Sequence, residues 1–136
     1  AAGAARGPRP VAVPAGSGTG ERVVYSIGRG RVWLVGADER VRRTFPVAGG
    51  AVVPDLGAHR VFARRARGAG GDGAQVEHIV LFGRAEGQNV GFSAALDGSL
   101  TRLAPAKRTA AIREARPDGA ALWREATLGA TIQVIP

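Results

Sequence analysis

The sequence predicts a mainly β fold: an antiparallel β-sandwich or barrel-like sheet with one short α-helix near the C-terminus. Two observations carry this. Short runs rich in β-branched and aromatic residues recur between Gly- and Pro-containing breaks, and a single stretch shows helical spacing, with no strand–helix alternation of the βαβ kind. A length of 136 residues suits one domain that can bury most of its apolar surface without disulfides or metal.

Residues 1–20 are Ala, Gly, Pro and Ser with two arginines and follow neither period, which reads as a flexible linker, so the domain is expected at 21–136. Arg22-Val-Val-Tyr-Ser-Ile27 and Arg31-Val-Trp-Leu-Val35 flank Gly28-Arg-Gly30 and predict a hairpin. A turn at Gly36–Glu39 leads into Val41–Val47, where Pro46 marks an edge strand or a strand end. Ala48-Gly-Gly50 breaks that run. His59–Ala63 reads as extended, Gly68–Gly73 as a flexible turn, Val76–Phe82 as the longest strand and Asn89–Ser93 as a short one. The helix is placed at Asp118–Ala126, with Asp118 satisfying amides at its start and Leu122 and Ala126 sharing a face. Thr131–Ile135 closes the domain as a strand.

Composition bounds the chemistry. Eighteen of the nineteen basic residues are Arg, Lys107 being the exception, and the net charge is +8, which favours anionic partners. Aromatic residues are few and scattered, so the stacking platforms of a nucleic-acid module are missing and nucleic acid is disfavoured as a partner. The chain contains no cysteine, which excludes disulfides, thiolate metal sites and thiol nucleophiles. No apolar run is long enough to span a bilayer.

Four segments in order resemble the catalytic domain of the L,D-transpeptidases of bacterial cell walls, over about Arg22 to Val134. They are the opening hairpin; Thr44-Phe-Pro-Val-Ala-Gly49, similar to a Pro-Val-Ser-Gly type turn; Val90-Gly-Phe-Ser93, where the family has an extended segment ending in histidine; and the stretch from Leu103 to Val134. In that last stretch the family carries Ser-His-Gly-Cys-hydrophobic-Arg, an Ala-Leu-Trp type helix, Val-Gly-Thr and a final strand. Here the corresponding residues are Arg108-Thr-Ala-Ala-Ile-Arg113, Ala121-Leu-Trp123, Leu128-Gly-Ala-Thr131 and Ile132-Gln-Val134.

The resemblance implies a thiolate that attacks a stem-peptide carbonyl with a histidine assisting. This chain departs from it at each reactive position: Ala111 stands for the cysteine, Ala110 for the glycine before it, Thr109 for the adjacent histidine and Ser93 for the upstream one. The implied protein is a catalytically inactive relative, a peptidoglycan-associated binding or scaffold module working outside the cytoplasm. Arg108 and Arg113 are its ligand-binding candidates, and a stem peptide, an anionic wall polymer or another protein is its partner. Two alternatives stay open: a basic polyanion-binding module, and an enzyme with a relocated nucleophile.

Remaining candidates read more simply as structure. Thr109 or Ser93 as a replacement nucleophile lacks a base, since only Lys107 and Glu114 lie near Thr109 in sequence. His59 and His78 make a poor metal set, so no metal or other cofactor is expected; His78 should share a strand face with Val76 and Val80. Asp97 and Asp118 suit a turn and a helix start. The glycine clusters lack the phosphate-loop ending, and Trp33 and Trp123 suit packing. Arg60, Arg64, Arg65 and Arg67 form the densest basic run, with Arg60 and Arg64 on one face if the run is a single strand. Arg102, Lys107, Arg108, Arg113 and Arg116 surround the altered motif in sequence.

Overall fold

A computed structural model of the chain describes residues 12–70, 73–99 and 109–136. The described residues form ten strands and one helix: β1 (Arg22–Ser26), β2 (Arg31–Val35), β3 (Val41–Pro46), β4 (Ala48–Gly49), β5 (Gly57–Arg60), β6 (Ala63–Ala69), β7 (Gln75–Ala85), β8 (Gln88–Ala95), β9 (Ala111–Glu114), α1 (Arg116–Glu125) and β10 (Thr131–Ile135). They build two five-stranded sheets, ordered β3-β2-β1-β10-β5 and β4-β9-β8-β7-β6. The mainly β sandwich with a C-terminal helix is thus the observed fold. Each sheet also contains one parallel pair, β1 with β10 and β8 with β9, so neither is purely antiparallel. Both parallel pairs join strands that are distant in sequence, as parallel pairing requires.

The sheets face each other across one aliphatic and aromatic core. Val23, Tyr25, Val32 and Leu34 meet Val80, Phe82, Val90, Phe92 and Ile112, with Leu122 of the helix and Ile132 of β10 in the same cluster. Alternation explains the first sheet. Val24, Trp33 and Val35, the neighbours of those inward residues, form a second cluster on its opposite face, and Val13 packs against it. Val13 belongs to the stretch expected as linker, described here from 12 onward. In the same stretch Ser17 is buried, and its carbonyl and that of Gly20 accept from the buried Arg22 guanidinium at 2.8 and 2.6 Å.

Several elements differ from the sequence reading for identifiable reasons. The run at 59–67 is not one strand. The chain crosses at Val61-Phe62 from β5 in one sheet to β6 in the other, so Arg60 and Arg64 lie on different sheets. Gly68 and Ala69 end β6 and are not part of a turn. Ala48-Gly49, expected as a break, is a two-residue strand on β9, and β9 itself has too little β-branched character to be seen in sequence. Glu86 and Gly87, both with positive φ, close the β7–β8 hairpin with the backbone that a two-residue loop demands.

On β7 the register shifts between Glu77 and Val80, and His78 adopts φ 54°. This bulge puts Val76 opposite Ala95 and Val80 opposite Phe92, two partners of opposite parity. Val76 and Val80 therefore lie on opposite faces, and the expected Val76-His78-Val80 face does not exist. His78 instead leans on Trp123, ring centroids 5.2 Å apart.

Helix α1 begins two residues earlier than expected. Ala115 occupies the N-cap without a side-chain bond, and a proline sits in the first turn, where its missing N–H costs nothing. Asp118 does not cap the helix. It lies within the first turn, where a negative charge suits the helix dipole, and pairs with Arg43 at 2.9 Å. Arg116 of α1 is tied to β7 by two bonds to Glu77, 2.8 and 3.0 Å; the Arg116 guanidinium holds the Glu77 carboxyl below the usual range.

Close packing of α1 on β8 depends on Gly119, because a Cβ there would stand 2.9 Å from the Ala94 methyl and 3.3 Å from a Glu114 carboxyl oxygen. Alanine favours a helix interior over glycine by about 1 kcal/mol, yet Gly119→Ala is expected to lower the thermal unfolding midpoint. Adding Ala94→Gly should recover most of the loss, which calorimetry of the single and double variants would measure.

Candidate functional site

The parallel pairing of β8 and β9 sets Gly91 opposite Ala111 and Ser93 opposite Arg113. Positions 93 and 111, eighteen residues apart in sequence, therefore occupy neighbouring strands of the second sheet. Side chains alternate along β9. Ile112 joins the core between the sheets, while Ala111 turns to the other face and lines a cavity of about 490 Å³ with Ser93 and Thr109.

Small residues make this cavity. Gly91 contributes no side chain, and a Cβ there would fall 2.5 Å from the Val80 carbonyl, so nothing larger fits without moving the strand. Ala111 opposite it contributes one methyl group. Val76, Ile79 and Leu81 of β7 supply apolar walls, Gln88 and Asn89 polar ones, and Phe62 and Arg65 stand at the margin on the β6 side. Among the described lining residues Arg65 is the sole charged group, and none is an acid or a histidine.

Thr109 is held in place from two sides. Its Oγ1 accepts from the Ala111 amide at 3.1 Å, and its carbonyl accepts from the Val52 amide at 3.2 Å. Gly50 passes so close that a Cβ would lie 2.1 Å from the Thr109 carbonyl oxygen, and its amide donates to the Ala111 carbonyl at 3.1 Å. The Ala48-Gly-Gly50 sequence thus lets β4 and the loop after it clamp the backbone from Thr109 into β9.

The other sequence candidates separate. Ala110 is buried in the core, and its amide donates to the Gln88 side chain at 3.3 Å. Arg113 is 3% exposed and is not among the described cavity-lining residues. Arg102, Lys107 and Arg108 lie outside the described residues. Arg116, expected near the motif, is instead engaged with Glu77. His59, on β5, meets the Asp55 carbonyl at 2.8 Å and packs edge-on to Phe82; neither it nor His78 lines the cavity. Among the described residues no cluster of His, Asp and Glu could hold a metal ion. Asp97 receives the Ser99 amide at 2.9 Å, which holds its carboxyl below the usual range, as suits a turn residue.

Sequence reasoning missed Arg65, Ile79 and Leu81 as cavity residues. A signal was present: Ile79-Val-Leu-Phe82 is apolar at every position, and an unbroken apolar run marks a strand covered on both faces. It also missed Glu114. This last residue of β9 is fully buried, and neither carboxyl oxygen has a hydrogen-bond partner among the described residues. Burial pushes its carboxyl well above the usual range; the Arg113 charge and the Ser93 amide oppose that rise only in part, and Asp118 adds to it.

No protein-family model matches the sequence, and no curated protein matches it. Solved structures do match, and several are L,D-transpeptidases. The L,D-transpeptidase of Stackebrandtia nassauensis aligns with a TM-score of 0.66 at 16% identity, over 87% of this chain and 56% of that one. For Mycobacterium tuberculosis L,D-transpeptidase 1 the values are 0.60 and 17%, over 88% and 63%. The catalytic domain of the Enterococcus faecium L,D-transpeptidase aligns at 0.64 and 13%, over 88% of this chain and 100% of that domain. The chain therefore spans less than two thirds of the first two proteins and the whole of the isolated domain. It has the fold of an L,D-transpeptidase catalytic domain.

Glu114 gives the site a pH signature. The folded state keeps a proton that the unfolded chain has already lost, so the contribution of Glu114 to stability is greatest below the ordinary glutamate range. It declines as pH rises from there, until the folded carboxyl itself ionises. Glu114→Met is expected to raise stability at pH 7 by about 1–3 kcal/mol, the usual cost of a buried polar group without a partner. It should also remove this part of the decline, as urea unfolding of both proteins at pH 5 and pH 8 would show.

Proposed function

We propose that the chain is a non-catalytic relative of the L,D-transpeptidases that binds a peptidoglycan stem peptide, or scaffolds a partner, in the cell envelope. The observation that carries this reading is the cavity at the β8–β9 pair. Ala111, Thr109 and Ser93, which the sequence resemblance matches to the family's thiolate and histidines, line one cavity in a chain that contains no cysteine. Loss of a nucleophile that works as a unit with its base lowers turnover about a millionfold. Thr109 is a poor replacement, because no described lining residue can act as its base.

What persists is a shape suited to an extended peptide. Apolar walls from β7 face amide side chains and hydroxyls, with one arginine at the margin, a lining of the kind that orients a small ligand. Arg65 supplies a guanidinium for a ligand carboxylate, and the buried Arg113 beside Ser93 supports the strand from which the floor is built. An extracytoplasmic setting and a domain over 21–136, with residues 13–20 packed against it, belong to the same proposal.

Titrating the protein with disaccharide-tetrapeptide fragments should shift the amides of Gly91, Ser93 and Ala111 at millimolar ligand, and Ala111→Leu, which fills the floor, should weaken binding about tenfold. No shift at these amides would remove the binding reading. Mass spectra after long incubation should show the fragments unchanged; acyl adducts, or cross-linked or trimmed products, would establish an enzyme instead.

A further inference from the structure

Strand β6 ends the second sheet, with β7 as its only neighbour among the described residues. An edge strand directs alternate amides and carbonyls away from the sheet, and proteins normally shield such an edge by shortness, proline, a bulge or charge. The other edges use shortness or proline, β4 with two residues, β5 with four and β3 ending in Pro46, whereas β6 relies on charge alone. At seven residues β6 is the longest edge, and it contains no proline.

Its side chains leave the backbone approachable. Ala63, Ala66, Gly68 and Ala69 alternate with arginines, and Arg65, Ala66, Arg67 and Ala69 are exposed. Arg64 locks the strand in place: its guanidinium stacks 3.7 Å above the Trp123 ring and donates to the Trp123 carbonyl at 2.8 Å. Arg65 and Arg67 form no ion pair among the described residues. The acid facing Arg67 across the sheet, Glu77, is already committed to Arg116. The strand thus combines an open ladder with two exposed cations outside any ion pair of the described residues, Arg65 on the face of Ile79 and Arg67 on that of Glu77.

We propose that β6 is a docking edge for an extended acidic peptide segment, which adds as a sixth strand through main-chain hydrogen bonds and sets its carboxylates against Arg65 and Arg67. Main-chain pairing would provide affinity and the guanidinium–carboxylate contacts would provide selectivity. The surface shares Ala63, Arg65 and Ala69 with the cavity lining, but its main-chain edge is separate from the floor at Gly91 and Ala111.

The test uses the full chain, ¹⁵N-labelled, and a capped Val-Glu-Glu-Val-Glu-Glu-Val peptide, whose valines favour an extended form and whose adjacent glutamates project to both faces. Saturable shifts and slowed amide exchange should concentrate in residues 63–69. A peptide with the same charges but N-methylated at alternate residues should bind about tenfold more weakly, since it cannot complete the ladder. The Lys–Val counterpart should not bind, and Arg65→Gln with Arg67→Gln should weaken the acidic peptide about tenfold. Ala111→Leu should leave it unaffected, which separates this surface from the cavity reading. Equal binding of the N-methylated peptide would reduce the effect to non-directional charge attraction and overturn the proposal. Absence of shifts, shifts centred on Gly91 to Ala111, or a peptide-free dimer that protects the same amides would overturn it as well.

Discussion

The arrangement of this molecule depends on the register of β9 against β8. In a strand, side chains alternate with period two, so a slip of one residue would exchange every inward and outward group. With Gly91 opposite Ala111, Ile112 enters the core, Ala111 and Thr109 reach the cavity, and Glu114 turns inward to lie beneath α1. The register is fixed from both sides. Gly49 and Ala48 pair with Ile112 and Arg113, Gly50 grips the Thr109–Ala111 backbone, and α1 closes over Glu114 through Gly119. One four-residue strand thereby connects the cavity floor, the core and the helix.

A core poor in aromatic residues places those few where the sheets must be joined. Tyr25 of the first sheet meets Phe92 of the second edge-on at 5.8 Å. Phe92 stacks on Phe82 at 5.1 Å, and His59 of β5 packs against Phe82 at 5.5 Å. This file of rings crosses the sandwich directly beneath the cavity strand, because Phe92 lies between Gly91 and Ser93. Around it the core is filled by valine, leucine and isoleucine, whose branched side chains suit the pleat. Positions facing the cavity can then stay small without loosening the domain.

Arginines divide by environment. Arg22, buried and triply bonded, draws residues 17–20 and Glu39 together. Arg42 reaches Glu125, Arg43 reaches Asp118, and Arg116 reaches Glu77, so three of them attach α1 to strands of both sheets. Arg64 spends its charge on the face of Trp123, an interaction that fits guanidinium better than ammonium. Part of the +8 charge is therefore structural, while Arg65 and Arg67 on β6 are exposed and in no ion pair among the described residues.

Sequence by itself determined the strands whose runs are bounded by turns: β1, β2, β3, β10, the centre of β7 and the Asn89–Ser93 part of β8. It also determined the helix around Ala121-Leu-Trp123 and the chemical identity of positions 93 and 109–111. Local patterns suffice there because each run needs only its own alternation to choose a face. Tertiary structure decided the rest. The bulge at His78 reversed an apparent face, the crossover at Val61-Phe62 split one basic run between two sheets, and α1 started at Arg116 with Ala115 as its cap, leaving Asp118 in the first turn to pair with Arg43. β9 reads as featureless in sequence, since Ala, Arg and Glu carry little strand preference, and only its pairing with β8 makes it a strand. Cavity and buried acid arise from that pairing too, since both require residues far apart in the chain to meet, and no local period encodes such a meeting.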